Sequence, residues 1–135
     1  MKKILCMIII LLFASSSFAA GKIDIDLTKF SDVMLYSGVF NILSNPEAYT
    51  GKIIKVSGSF DYVHEQDTGR YFFAVIITDA AACCSIGFDF VLKDSYKYPQ
   101  DYPKRGDKIT VTGRFERYKE GEDMFCNLVN ADYVK

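Results

Sequence analysis

Cys83 and Cys84 stand side by side, Asp79 lies shortly before them, and Cys126 follows about forty residues later. Thiolates are soft ligands. Three sulfurs completed by Asp79 or His64 would make a site for Zn²⁺ or Cu⁺. Zinc sites usually separate paired cysteines by two residues, and that spacer is missing here. A redox-active vicinal pair is a second reading, without the Cys-x-x-Cys spacing that would support it. The commonest fate of an odd number of cysteines outside the cytoplasm is structural, one disulfide with one thiol left over. A fourth reading leaves all three buried and reduced.

Other catalytic chemistry finds little to build on. His64 is the only histidine and sits beside Glu65 and Asp67 in a polar stretch, so no Ser-His-Asp set can be assembled around it. No glycine-rich phosphate loop and no His-Glu-x-x-His occurs. The chain reads as non-enzymatic, with no cofactor expected unless the thiolate site takes zinc or copper. A second constellation is aromatic. Tyr62, Tyr71, Tyr96, Tyr98 and Tyr102, where displayed outward, offer a surface on which a ligand could stack, whereas Phe73, Phe88 and Phe90 at alternating positions belong to a core.

These residues must be placed by a fold, and the chain begins with a segment outside it. Lys2 and Lys3 precede an uncharged apolar run over residues 4–13, and small residues follow, with Ser17 and Ala19 at the −3 and −1 positions of a cleavage site. The run is shorter than the roughly 20 residues that span a bilayer. Residues 1–19 therefore read as a cleaved signal peptide, and the protein as exported to a periplasm or the exterior. Cys6 lies too early in the run for a lipoprotein site. The formal charge of −1 falls to −3 once Lys2 and Lys3 are removed. That balance argues against holding a phosphate backbone, which relies on Lys and Arg. No other segment approaches a membrane span. The mature chain is one ordinary domain with no integral membrane segment.

Residues 20–29 read as an extended lead-in, and residues 30–135 as the domain. Over residues 30–43, Phe30, Val33, Met34, Val39, Phe40 and Leu43 recur at helical spacing, with Ser31 followed by Asp32 as the start, until Asn45-Pro46 ends the helix. Gly38 weakens that helix by about 1 kcal/mol relative to alanine. Five strands follow, over residues 52–60, 71–78, 84–92, 109–115 and 124–134, with a long connection over 93–107. Within them Ile54, Val56 and Phe60 share one face, as do Cys84, Ile86, Phe88, Phe90 and Leu92, and again Ile109, Val111 and Phe115.

The stretches 51–60 and 106–115 echo each other, each carrying Gly, Ile, Val, a hydroxyl residue, Gly and Phe in register. Gly58 and Gly113 fall on the inward faces, where a missing side chain lets a strand bend sharply. Five short coiling strands behind one amphipathic α-helix predict a mainly β domain, a five-stranded OB-fold barrel. Asn45-Pro-Glu-Ala-Tyr-Thr-Gly-Lys52, Val56-Ser-Gly58, the Asp-Ala-x-Ala-Cys-Cys motif of residues 79–84, and Arg105-Gly-Asp107 before Val111-Thr-Gly113 carry a resemblance. The chain resembles a group of exported bacterial OB-fold proteins of unknown function, and the wider tRNA-anticodon-binding-like OB superfamily in shape. The resemblance covers nearly all of the mature chain, implies the fold, and brings no catalytic residue with it.

In such a barrel the third and fifth strands lie side by side, which would let Cys126 reach the cysteine pair. Cys84 is the partner if Met124, Cys126 and Leu128 face inward, and Cys83 if Phe125, Val129 and Ala131 do, with Cys84 preferred. A bridge closing about 40 residues would add roughly 3–4 kcal/mol. The function expected is a binding module for a protein, peptide or small ligand, ahead of nucleic acid. Handling of a metal or of redox equivalents by Cys83, Cys84, Cys126 and Asp79 is the alternative.

Overall fold

In the computed structural model, which describes residues 21–135, the chain is mainly β. Its strands are β1 (Ile25–Asp26), β2 (Ile53–Glu65), β3 (Arg70–Thr78), β4 (Ser85–Leu92), β5 (Lys108–Glu120) and β6 (Asp123–Val134). They form one sheet in the order β1-β2-β3-β4-β6-β5, and β2 also pairs with β5, so that β2 to β6 make a ring. The β1–β2 and β4–β6 pairs are parallel and the rest antiparallel. Helices α1 (Asp32–Ser44) and α2 (Pro46–Tyr49) precede β2. The expected signal peptide lies outside the described residues. Among those described, no helix is long and apolar enough to cross a membrane.

The internal echo has a geometric cause. Its two copies pair with each other about a local two-fold axis at Val56↔Val111, with Ile54↔Gly113 and Gly58↔Ile109 on either side. The flanking hydrogen bonds repeat the symmetry. Gly51 N donates to Phe115 O at 2.7 Å and Gly106 N to Phe60 O at 2.8 Å. Phe115 N donates to Lys52 O and Phe60 N to Asp107 O, at 2.9 and 2.8 Å. Both copies open on a glycine with positive φ, 84° at Gly51 and 87° at Gly106, a conformation that costs a Cβ-bearing residue energy.

Inside the ring, the inward residues of β2 and β5 (Ile54, Val56, Phe60, Ile109, Val111, Phe115) meet Val75, Phe88, Phe90 and Leu128, all essentially without solvent contact. Gly58 and Gly113 are buried as the alternation requires.

Several details differ from the sequence reading. The lead-in is extended only at β1, which adds a sixth strand; it then winds into a 3₁₀ turn over Leu27–Lys29, capped by the Asp26 carboxylate. Helix α1 starts after Ser31 as expected, and Val39 and Leu43 turn inward as expected, but the rest of its buried stripe differs. Val39 and Ile42 are enclosed, Leu35, Tyr36 and Leu43 pack on the core, and Val33, Met34 and Phe40 lie exposed. The helix is apolar on most sides, so spacing alone does not choose its inner face. Gly38 sits under the 3₁₀ turn. A Cβ there would meet Leu27 and Phe30 side-chain atoms at 3.3 Å, so a close approach accompanies its weak propensity.

Strand β6 resolves the question of its inward face in both directions. Cys126 and Leu128 turn inward, yet so does Ala131, three positions beyond Leu128. Asn130, at a φ of 50°, lies within the shift of register on both sides of β6, and that bulge swaps the faces.

Candidate functional site

Cys83, Cys84 and Cys126 are all free, so the expected disulfide is absent. Register explains why. Asp89 pairs with Asn127 in the parallel β4–β6 ladder, which puts Cys126 opposite Phe88. Cys84 lies four residues farther back, roughly 13 Å at ~3.3 Å per residue, whereas a disulfide requires Cα atoms within about 7 Å. Cys84 also does not join the inward face of β4. It precedes the strand, which opens at Ser85, and it is exposed together with Cys83. Alkylation of the unfolded protein is expected to modify Cys83, Cys84 and Cys126 alike, with Cys126 reacting slowest in the native state. An intact mass short of two hydrogens would restore a bridge.

Part of the proposed thiolate cluster does come together. The turn between β3 and β4 is closed by Asp79, whose Oδ1 accepts from Cys83 N at 2.9 Å and from Cys84 N at 3.3 Å. Asp79 Oδ2 accepts from the Cys83 thiol at 3.2 Å, and the two sulfurs are 3.6 Å apart. The donor atoms of Asp79, Cys83 and Cys84 all lie within 4.8 Å of one another. Cys126 and His64 are not among them. The hydrogen bond to Asp79, joined by the one to Cys84, holds the Cys83 thiol above its ordinary pKa. Asp79 is held low by the same thiol and by backbone N–H groups, against a smaller opposing effect of burial. Fewer thiolates at neutral pH means a poorer nucleophile. Tyr36 of α1 borders this turn, its phenol raised by burial and then by the charges of Cys84, Asp79 and Cys83.

The tyrosines form a more extensive arrangement. Tyr71 lies 5.9 Å from Tyr62 and 4.7 Å from Tyr98 between ring centres, and Tyr98 is 5.3 Å from Tyr102. Phe73 touches the group at 5.3 Å from Tyr98 and 4.5 Å from Tyr102, and stacks on the core ring of Phe60 at 6.0 Å. Tyr62 and Tyr102 are half-buried, while Tyr71 and Tyr98 stay exposed. His64 stacks on Tyr71 at 4.2 Å. The cluster is thus partly a continuation of the core.

The 93–107 connection is pinned over it. Lys93 and Tyr96 both contact the Asp132 carboxylate. Tyr133 donates to Asp101 O at 2.8 Å. Arg105 pairs with Asp61 at 2.7 Å and lies 4.2 Å above the Tyr62 ring.

A cleft of about 300 Å³ joins this cluster to the outer face of the sheet. Tyr71, Phe73 and Tyr102 line one part of it, and Phe72, Asp89, Tyr118 and Asn127 another. Ala74, Asp89, Asn127 and Glu116 are successive partners across β3, β4, β6 and β5, so Asp89 sits mid-sheet. Arg70 of β3 bridges to Glu120 of β5 at 2.5 Å and covers the Phe72 ring at 4.7 Å. Two other depressions, of about 860 and 260 Å³, have no aromatic residue in their walls.

Two polar groups in the cleft lack partners. Burial raises the pKa of Asp89, and no hydrogen bond or opposite charge among the described residues offsets it. Asn127 Oδ1 is buried without a donor. Burial, followed by the charge of Asp89, pushes the Tyr118 phenol up. Asp89, Asn127, Phe72 and Tyr118 escaped the sequence reading because an aspartate between Phe88 and Phe90 looks like any outward polar residue of a half-buried strand. Only register brings Asp89 beside Asn127.

A pH prediction follows. A carboxyl with a raised folded pKa binds its proton more tightly in the folded state, so its contribution to stability declines as pH climbs through that range. Asp89→Asn is expected to gain in Tm over wild type as pH rises from below the ordinary carboxylate range to neutrality. A constant difference across that range would show that Asp89 is not desolvated.

Neither family models nor curated proteins give a match to this chain.

Proposed function

We propose that this chain is an exported, non-enzymatic binding module of the OB type, holding a protein segment, peptide or small molecule in the aromatic cleft beside Asp89. The carrying observation is the cleft itself, where aromatic walls surround polar groups left unpaired among the described residues. Ligand sites are mostly apolar with a few placed polar groups, and this one has that composition. The ring order β2-β3-β4-β6-β5, closed through β2, supports the OB reading. The N-terminal lysines and apolar run support export. His64 is stacked on Tyr71 at the edge of the tyrosine cluster.

Saturation-transfer NMR with a mixed set of cationic, neutral and anionic small molecules tests the reading. Binders are expected for wild type, with their signals lost in a Phe72→Ala/Tyr118→Ala variant that still folds. Binding that survives in that variant, or no binder at all, would remove it.

A second reading, soft-metal binding, is favoured by the sulfur pair at 3.6 Å beside Asp79 Oδ2. It uses Asp79, Cys83 and Cys84 without Cys126, and a zinc or copper site would need further ligands from outside this group. Titration with Cu⁺ against a chromophoric chelator tests it, with Cys83→Ser/Cys84→Ser as the control. Equal copper uptake by the control would exclude the site.

A further inference from the structure

We propose that the cleft recognises an organic cation, a primary ammonium group seated against Asp89 between aromatic rings. This rests on the binding-module reading above and names the chemical class of its ligand.

Among the described residues, the two groups of the cleft left without a partner are both acceptors. Asp89 offers a carboxylate, and Asn127 offers an Oδ1 with no donor. A half-buried carboxylate without a partner is held at a cost, and so is a buried acceptor left unpaired. A ligand that brings N–H donors relieves both. An anion would meet the charge of Asp89 directly, and a neutral apolar ligand would dry that carboxylate further without pairing it.

The walls agree with this sign. Tyr71, Phe72, Tyr102 and Tyr118 present ring systems whose faces attract cations. The molecule already uses one of them, since the Arg70 guanidinium rests on Phe72. That guanidinium is committed to Glu120, with contacts of 2.5 and 3.5 Å, and marks the rim. Among the described residues, no lysine lines the cleft. The positive charge that would complete the site has to come from a ligand.

The ammonium could belong to a free amine or to a lysine side chain in an extended peptide. Both sources present the same group, and affinity separates them.

The test is a titration of the full mature protein, followed by tyrosine fluorescence and amide NMR. The probes are n-butylammonium chloride, n-butanol, acetyl-Gly-Lys-Gly-amide and the same peptide with norleucine in place of lysine. Each cation is expected to bind about tenfold or more tightly than its neutral counterpart, as one desolvated cation–π and charge contact provides. Asp89→Asn is expected to erase that ratio while the fold stays intact by amide dispersion. A tighter lysine peptide assigns the source to a polypeptide, and an equal or tighter butylammonium assigns it to free amines. Equal binding of butanol and butylammonium would overturn the cation assignment and leave the binding module standing. Failure of all four probes, while the mixed set yields binders in the cleft, would overturn it as well. An empty mixed screen would sink both readings.

Discussion

Gly87→Ala is expected to destabilise the protein by about 3 kcal/mol or more, enough to leave much of it unfolded. A Cβ at Gly87 would stand 2.2 Å from the Val75 carbonyl oxygen, a backbone atom that cannot swing aside. The same segment of β3 is hemmed in from its other side. A Cβ at Gly58 would come within 2.5 Å of Ile76 O and 2.9 Å of Val75 Cγ2. Val75 and Ile76 are thus held between two glycines, one on β2 and one on β4. Any methyl there must push β3 out of the ring, and with it the strand that carries Tyr71, Phe72 and Phe73. Urea unfolding checks the magnitude. Gly51→Ala is the control, because it has a positive φ but open space around it, and it should cost only about 1–2 kcal/mol. If Gly87→Ala were no worse than that control, β3 would not run where it is placed here.

The second large effect is at Phe60. Its ring is 1 % exposed and lies about 6 Å from the rings of Tyr62, Phe73 and Phe90. Truncation removes buried apolar surface and leaves a cavity between the core and the tyrosine cluster, so Phe60→Ala is expected to cost about 3–5 kcal/mol. Its effect should reach the cleft through Phe73, which rests on Phe60 and also lines the cleft. The chain has no tryptophan, so near-ultraviolet circular dichroism reports mainly on its tyrosines and phenylalanines. That signal should fall in Phe60→Ala even under conditions where the far-ultraviolet spectrum shows the strands intact. Phe60→Leu, which refills most of the space, should recover a good part of both.

Much of the strand framework was legible because a half-buried strand leaves a period of two in its sequence. Ile54, Val56, Phe60, Ile109, Val111 and Phe115 all point where that period places them. Gly58 and Gly113 were legible as inward positions, and both are buried. Gly87 was not, since the carbonyl it must clear belongs to another strand.

The helix face was read only in part: Val39 and Leu43 do turn inward, but Val33, Met34 and Phe40 satisfy helical spacing as well as Leu35 and Ile42 do. Contact with the ring chooses between them. Strand β6 could not be read as one face because the bulge at Asn130 resets its alternation. The cysteine pairing failed on register, a property of two strands together. The tyrosines were found as residue types, and Tyr62, Tyr71, Tyr98 and Tyr102 do gather. Their meaning was only half visible, since two of the four serve the core and the unpaired groups of the cleft sit on β4 and β6.

The most direct measurement is an amide chemical-shift map of the ¹⁵N-labelled domain, residues 20–135, recorded while the strongest binder from the mixed set is added. The expected result is a continuous patch of shifts over Arg70 to Phe73, Asp89 to Val91, Tyr102, Tyr118 and Asn127. Shifts centred instead on Asp79, Cys83 and Cys84 would contradict the cleft as the functional site and move the function to the thiol turn.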